Sequence, residues 1–201
     1  MSLRYALLAI LRVGPLSGYE LQKQFSQSVG HVWHAPDSQI YPELRKMEQD
    51  GLIEAEEQIR GERGRRRLYH VTDAGDRAFL DWMNSPMDYQ RVRDPAHLRA
   101  AYLETVSPDV AREFFRAHIE QWERELEQWR GELARIESLT NPILVRRLQV
   151  TADEDRDATI AFKLLAYEGL VEHALTETAW GRRGLELLDR LSRRDGGAGS
   201  G

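Results

Sequence analysis

Apolar residues in the first part of the chain recur at helical spacing, then alternate, then return to helical spacing. Leu3, Ala6, Leu7, Ile10 and Leu11 share one helical face over 3–12, and Gly14-Pro15 stops that helix. Ser17-Gly18-Tyr19-Glu20 has the Ser-x-x-Glu spacing of a capping box, in which side chain and backbone satisfy each other's free donors. A second helix follows with Tyr19, Leu21, Phe25 and Val29 available for burial, and Gly30 closes it. Pro36-Asp37-Ser38 opens a third, in which Ile40, Leu44 and Met47 repeat at i, i+4 and i+7 and must face a core. Gly51 ends it. Strand patterns around 52–59 and 67–72 flank a turn holding Gly61 and Gly64. Thr72-Asp73-Ala74-Gly75 then caps a fourth helix carrying Ala78, Phe79, Trp82 and Met83.

Asn84-Ser85-Pro86 marks a domain boundary. Asp94-Pro95 and Ser107-Pro108 each place an N-cap before a proline at the first helical position. From 108 to about 139 the pattern predicts a single helix, roughly 45–50 Å long at ~1.5 Å per residue. Phe115, Ile119, Trp122, Leu126, Trp129, Leu133 and Ile136 step by four and three along it, which is a heptad seam that needs a partner helix. These seven are the expected dimerisation residues. Asn141-Pro142 ends the run, and Thr151-Ala152-Asp153-Glu154 repeats the capping-box spacing. A last long helix takes in Ile160, Leu164, Tyr167, Val171, Ala174, Leu175, Trp180, Leu185, Leu188 and Leu191, before a glycine-rich flexible tail. The expected architecture is mostly α. A winged helix-turn-helix domain with a two-stranded wing occupies 1–84, an all-α dimerisation and effector domain 93–193, and the tail 194–201.

The polar positions say what the first domain is for. At about 100° per residue, the outer face of the third helix holds Ser38, Pro42, Arg45 and Gln49, flanked by Tyr41 and Lys46. Proline is tolerated near a helix start, so Pro42 puts this donor-rich turn at the N-terminal end. That end meets base edges and phosphates in helix-turn-helix proteins. Arg60, Arg63, Arg65, Arg66 and Arg67 fall within eight residues, offset only by Glu62. A helix fit for a groove beside a basic hairpin is the design of a winged helix. Gln39 and Arg45 can read bases, since glutamine pairs with adenine and arginine with guanine in the major groove.

A net charge of −5 over 201 residues argues against a nucleic-acid partner only weakly. Screening confines phosphate attraction to about 8–10 Å, and the acidic residues concentrate elsewhere, as in Asp153-Glu154-Asp155. With 41% hydrophobic and 30% charged residues the chain has the balance of a folded, soluble protein. No stretch approaches the ~20 apolar residues of a membrane span, and the N-terminus lacks a secretion pattern. Without cysteine there is no disulfide framework, thiolate metal site or thiol switch. A cytoplasmic location is expected. His31 and His34 lie three apart, but no carboxylate or cysteine completes a metal set. No phosphate-cradling glycine loop, Gly-x-Ser-x-Gly elbow or His-Glu-x-x-His is present, so neither an enzyme nor a cofactor is expected.

Residues 38–53 and 64–75 resemble the PadR family of bacterial transcriptional regulators. Ile40-Tyr41-Pro42-Glu43-Leu44 is similar to the family's Leu/Ile-Tyr-Pro-x-Leu recognition helix. Gly64-Arg65-Arg66-Arg67-Leu68-Tyr69 resembles its Gly-Arg-x-Arg-x-Tyr wing, and Val71-Thr72-Asp73-Ala74-Gly75 the helix start that follows. The resemblance covers 3–83 closely, and the remainder looks like the family's longer helical C-terminal domain by pattern. It implies a DNA-binding regulator, more often a repressor. It implies that Tyr41 hydrogen-bonds a DNA phosphate, and that Tyr19 acts similarly. Arg65 matches the family's wing arginine, whereas Arg66 stands where the family often has proline. The expected DNA-binding set is Tyr19, Ser38, Gln39, Tyr41, Pro42, Arg45, Lys46, Arg63, Arg65 and Arg66. A homodimer would place two recognition helices on half-sites one helical turn apart, ~34–36 Å, and so read a near-palindromic operator. The resemblance also implies flat aromatic effectors near the C-terminal helices, where Trp122, Trp129 and Trp180 are the candidate pocket and plain dimer core is the alternative. A second reading makes the protein a ligand-binding or protein-interaction module that uses the winged helix as a docking surface.

Overall fold

The computed structural model describes residues 2–29, 36–60, 64–87, 89 and 93–198. His31, His34 and Arg63 therefore lie outside the described residues. The chain divides into two compact units, residues 1–88 with 145–151, and residues 89–144 with 152–201.

In the first unit α1 (Ser2–Leu11) leads to β1 (Leu16–Ser17) and α2 (Gly18–Gln24), which runs into a π-helical turn at Phe25–Val29. Then come α3 (Asp37–Gln49), β2 (Ile53–Arg60), β3 (Gly64–Val71) and α4 (Asp73–Asn84). The wing hairpin is an antiparallel ladder from Ile53↔Val71 to Arg60↔Gly64. The sheet gains a third strand: Leu16 pairs with Tyr69 and Ser17 with Leu68, so β3 is central. Two residues are too few to show a period of two, which is why the sequence pattern gives only two strands. This short pairing ties the start of α2 to the wing.

Leu7, Leu8, Leu21, Ile40, Leu44 and Met47 are fully buried, so the helical stripes of α1, α2 and α3 converge on one core. Thr72 caps α4 by accepting the Gly75 N–H at 3.1 Å and donates to the Gly51 carbonyl at 2.7 Å. A Cβ on Gly75 would sit 2.0 Å from the Leu52 carbonyl oxygen. Only glycine fits that backbone approach.

The second unit contains α5 (Pro95–Ala100), a 3-10 turn at Leu103–Thr105, α6 (Pro108–Glu137), another 3-10 turn at Asp153–Asp155 and α8 (Arg156–Ala198). Between α6 and that turn lies α7 (Pro142–Val150). Three details depart from the sequence pattern here. Asn141-Pro142 starts a helix as well as ending one: the Asn141 Oδ1 accepts the Leu144 N–H at 2.8 Å, and its Nδ2 donates to the buried Glu132 at 3.0 Å. Thr151 does not form a capping box, because its hydroxyl donates to the Arg147 carbonyl at 2.8 Å and closes α7 instead. The helical backbone of α8 continues to Ala198, past residue 194 where the tail was expected, since extending a formed helix adds a hydrogen bond per residue.

The seam on α6 finds its partner inside the chain. Arg112 pairs with Asp189, His118 with Glu177 at 3.2 Å, and the Trp122 ring meets His173 edge-on, so α6 and α8 pack antiparallel along it. Phe115, Leu126, Trp129 and Ile136 are buried, and Ile119, Trp122 and Leu133 half-buried. Four of the seven residues expected at a dimer interface are thus buried within one subunit, and the other three are half-buried there. Gly181 and Gly184 on α8 make room for them. A Cβ there would approach Ile119 Cγ1 to 2.7 Å and Phe115 Cε1 to 2.3 Å, respectively. A heptad seam has the same spacing whether its partner is the same chain or another, so the pattern could not distinguish them.

Candidate nucleic-acid interface

The polar face of α3 comes out where the helical period puts it. With Ile40, Leu44 and Met47 buried, Ser38, Gln39, Pro42, Arg45 and Lys46 are exposed. The helix begins at Asp37, as the Pro36-Asp37-Ser38 start predicts, which puts Pro42 in its second turn. Its missing N–H leaves the Ser38 carbonyl without a helical donor, which is tolerable on a face open to solvent.

Tyr41 is 41% exposed, and its ring lies over the first residue of α2. A Cβ on Gly18 would meet the ring at 2.7 Å, so the two helices cross this closely because residue 18 is glycine. Tyr19, beside it, is 70% exposed. Ser17 caps α2 by accepting the Glu20 N–H at 3.3 Å, while Glu20 accepts the Ser17 N–H at 3.0 Å. The expected capping box is formed.

Charge on this surface is sorted by ion pairs. Glu43 and Glu48 on α3, and Asp50 just after it, are each matched by an arginine. Arg4 pairs with Glu43 at 2.9 Å and with Asp50 at 2.7 Å, and Arg67 pairs with Glu48 at 2.7 Å. Arg45 and Lys46 have no ion-pair partner among the described residues, so the outward face of α3 is net cationic despite the acidic chain. Arg66 pairs with Glu20 on α2. Tyr19, Lys23, Tyr41, Arg66, Arg67 and Tyr69 line a groove of about 710 Å³ between α2, α3 and the wing. The backbone of Arg65 lies in β3, but its side chain is outside the described residues.

The groove thus collects Tyr19, Tyr41 and Arg66 from the expected set, whereas Ser38, Gln39, Pro42, Arg45 and Lys46 are exposed on α3. Sequence reasoning missed Lys23, although it follows Tyr19 by four residues and so shares its helical face. It also missed Glu20 and Glu48 as partners of wing arginines, for which no local spacing gives a signal.

Glu20 is the group most perturbed here. The Arg66 guanidinium, then the Ser17 N–H, pull its carboxyl from an ordinary 4.5 down to about 2. A depressed acid stabilises the fold above its unfolded value and loses that contribution as pH falls toward the folded one. Glu20 should therefore contribute fully above pH 4.5 and progressively less towards pH 2. Its side chain is 39% exposed, so solvent keeps the effect small. Urea unfolding of Glu20→Gln across that window should show a shallower acid loss than the parent. Parallel curves would contradict the pairing.

The family described as "Transcriptional regulator PadR-like family" matches residues 7–81. The negative transcriptional regulator PadR of Bacillus subtilis is 31% identical over 143 residues, spanning 70% of this chain and 78% of that protein. The chain belongs to the PadR-like family. Among solved structures, Bacillus subtilis PadR in complex with operator DNA is similar over 94% of this chain and 99% of that one, with TM-score 0.72 and 26% identity. The same protein in complex with p-coumaric acid matches over the same shares, with TM-score 0.69 and 26% identity. As a PadR-like protein, this chain is a transcriptional regulator built on a winged helix. The matched segment, 7–81, contains α2, α3, the sheet and the groove described above.

The second unit holds the tryptophans expected to form an effector pocket. Trp129 stacks at a tilt on Trp122 with centroids 6.3 Å apart, and His118 bridges Trp122 at 6.1 Å to Trp180 at 4.9 Å. His97, held by Asp94 at 2.7 Å, stacks on Trp180 at 4.3 Å. Asp94 in turn is held below the usual carboxylate range, first by the His97 N–H. The tryptophans are links in a packed aromatic chain and do not line the neighbouring open groove. That groove, about 830 Å³, is bounded by Leu98, Arg99, Tyr102, Val106, Phe114 and His118, among others.

Proposed function

We propose that this PadR-like regulator acts as a homodimeric repressor on a near-palindromic operator and is released by a small aromatic acid. The observation that carries the DNA reading is the cationic outer face of α3 set beside Arg66 and Arg67, with Glu43 and Glu48 of α3 held in internal pairs. The exposed turn of Ser38, Gln39, Pro42, Arg45 and Lys46 would enter the major groove, and Tyr19, Tyr41, Arg63, Arg65 and Arg66 would meet flanking phosphates. Repression follows the sign named for the Bacillus subtilis relative. Acting on DNA, the protein would work in the cytoplasm and carry out no enzymatic chemistry. No described helix is long and apolar enough to cross a membrane.

Because the α6 seam is filled within one chain, a second copy needs another surface. Phe162 and Leu165 lie on one face of α8, and are 72% and 61% exposed. An apolar pair left this open marks an interaction surface. Phe162→Glu with Leu165→Glu should yield folded monomers in sedimentation, whereas Trp122→Glu should lower the melting temperature instead. A double variant that stays dimeric would place the interface elsewhere.

The effector reading draws on the p-coumaric acid complex of the Bacillus subtilis protein. The groove bounded by Tyr102, Phe114 and His118 has the size and apolar lining of a ligand site, with Arg99 at hand for a carboxylate. Ala117→Trp would fill it without removing a core contact. On this reading p-coumarate quenches tryptophan fluorescence and releases DNA from the parent, and does neither to the variant. Unchanged release from Ala117→Trp would move the site.

A further inference from the structure

Arg66, the wing residue that departs from the family pattern, reaches across from the wing to α2. Its guanidinium meets the Glu20 carboxylate and lies 3.5 Å from the Ser17 hydroxyl. The same Glu20 oxygen accepts the Ser17 N–H at 3.0 Å and the Ser17 hydroxyl at 2.9 Å. Glu20 thus has two roles. Capping requires only an acceptor, and glutamine serves a capping box as well as glutamate. Holding Arg66 requires the charge.

That charge stands in an unfavourable place for binding a polyanion. Among the residues lining the groove of α2, α3 and the wing, Glu20 is the one carboxylate beside Lys23, Arg66 and Arg67. Any phosphate drawn to those cations comes within a Debye length, about 8–10 Å, of Glu20 and is repelled by it.

We propose that Glu20 is a specificity-determining residue of the DNA interface: it keeps Arg66 in an internal ion pair that only a phosphate held in direct contact displaces. This rests on reading the face as DNA-binding. Non-specific binding is almost wholly the phosphate term, made by loosely held, exchanging contacts. In such a complex Arg66 stays with Glu20 and adds little. On the operator, base contacts from α3 fix the register and deliver one phosphate to the wing. A guanidinium–phosphate contact then replaces the guanidinium–carboxylate one. The pair is broken on the operator alone, so Glu20 lowers affinity for the operator more than for random DNA.

The test compares the full chain with Glu20→Gln on an operator duplex selected from random sequence and on a scrambled duplex, over a salt series. Operator affinity should rise about tenfold, since the Arg66 guanidinium no longer has to leave a carboxylate. Affinity for the scrambled duplex should rise about two- to threefold, with a salt slope steeper by roughly 0.9 for each arginine freed, so the ratio between the duplexes rises about three- to fivefold. In an Arg66→Gln background the same substitution should leave that ratio unchanged. Equal shifts on both duplexes, weaker binding to both, or a ratio change that persists without Arg66 would each overturn the proposal. If the parent chain binds neither duplex at low salt, the DNA reading of this face fails first and the role of Glu20 falls with it.

Discussion

Replacing Arg65 and Arg66 together by alanine is expected to weaken binding to every duplex, on the order of 100-fold on the operator at ordinary salt and less on a scrambled duplex, where Arg66 stays with Glu20. Two arginines on each of two wings make about four phosphate contacts, and each contributes ~0.9 to the slope of log affinity against log salt. The slope should flatten by roughly 3 to 4, with part of the Arg66 share masked because that side chain begins paired to Glu20. Most of the sequence preference should survive, because wing contacts position the protein and α3 reads the bases. Fluorescence anisotropy across a salt series measures all three. An unchanged slope would mean that the wing does not touch DNA. Alanine at Gln39 and Arg45 should behave in the opposite way, removing preference while leaving the slope nearly intact.

The second large effect concerns the C-terminal unit. Gly184→Leu should destabilise it by about 2–3 kcal/mol, since the Phe115 ring occupies the space a side chain would need. For a chain of this size that corresponds to a fall in melting temperature of roughly 5–10 °C. Phe115→Ala in the same chain should return part of the loss, because it vacates the contested volume. A melting temperature unaffected by Gly184→Leu would show that α6 and α8 do not pack with Phe115 on that glycine. The Gly181–Ile119 contact makes a smaller, parallel case, with a flexible aliphatic end in place of a ring.

These two regions differ in how far the sequence discloses them. The recognition helix was legible because burial of Ile40, Leu44 and Met47 leaves its opposite face no freedom, and a helical period of about 3.6 fixes which residues share that face. The hairpin was legible from two alternating runs around a glycine-rich turn. Ion pairs across elements left no trace: Glu20 and Arg66 are far apart in the chain and meet only because Leu16 and Ser17 pair with β3. The α6 seam shows the opposite failure. Its spacing is unmistakable, yet it specifies only that a partner helix exists. The evidence that the partner is α8 of the same chain lies in Gly181 and Gly184, whose meaning depends on Phe115 and Ile119 facing them. Asn141-Pro142 carried both a stop and a start, and only the hydrogen bond from Leu144 shows the start.

On the proposed function, α3 and the wing read DNA as one surface. The most direct test is fluorescence anisotropy of the full chain with DNA from upstream of its own coding region against a scrambled duplex, over a salt series. Tight, sequence-selective binding at two subunits per site, with a steep salt slope that Arg65→Ala/Arg66→Ala flattens, is the expected result. Weak and equal binding to both duplexes, together with no tighter duplex recovered by selection from random sequence, would contradict it.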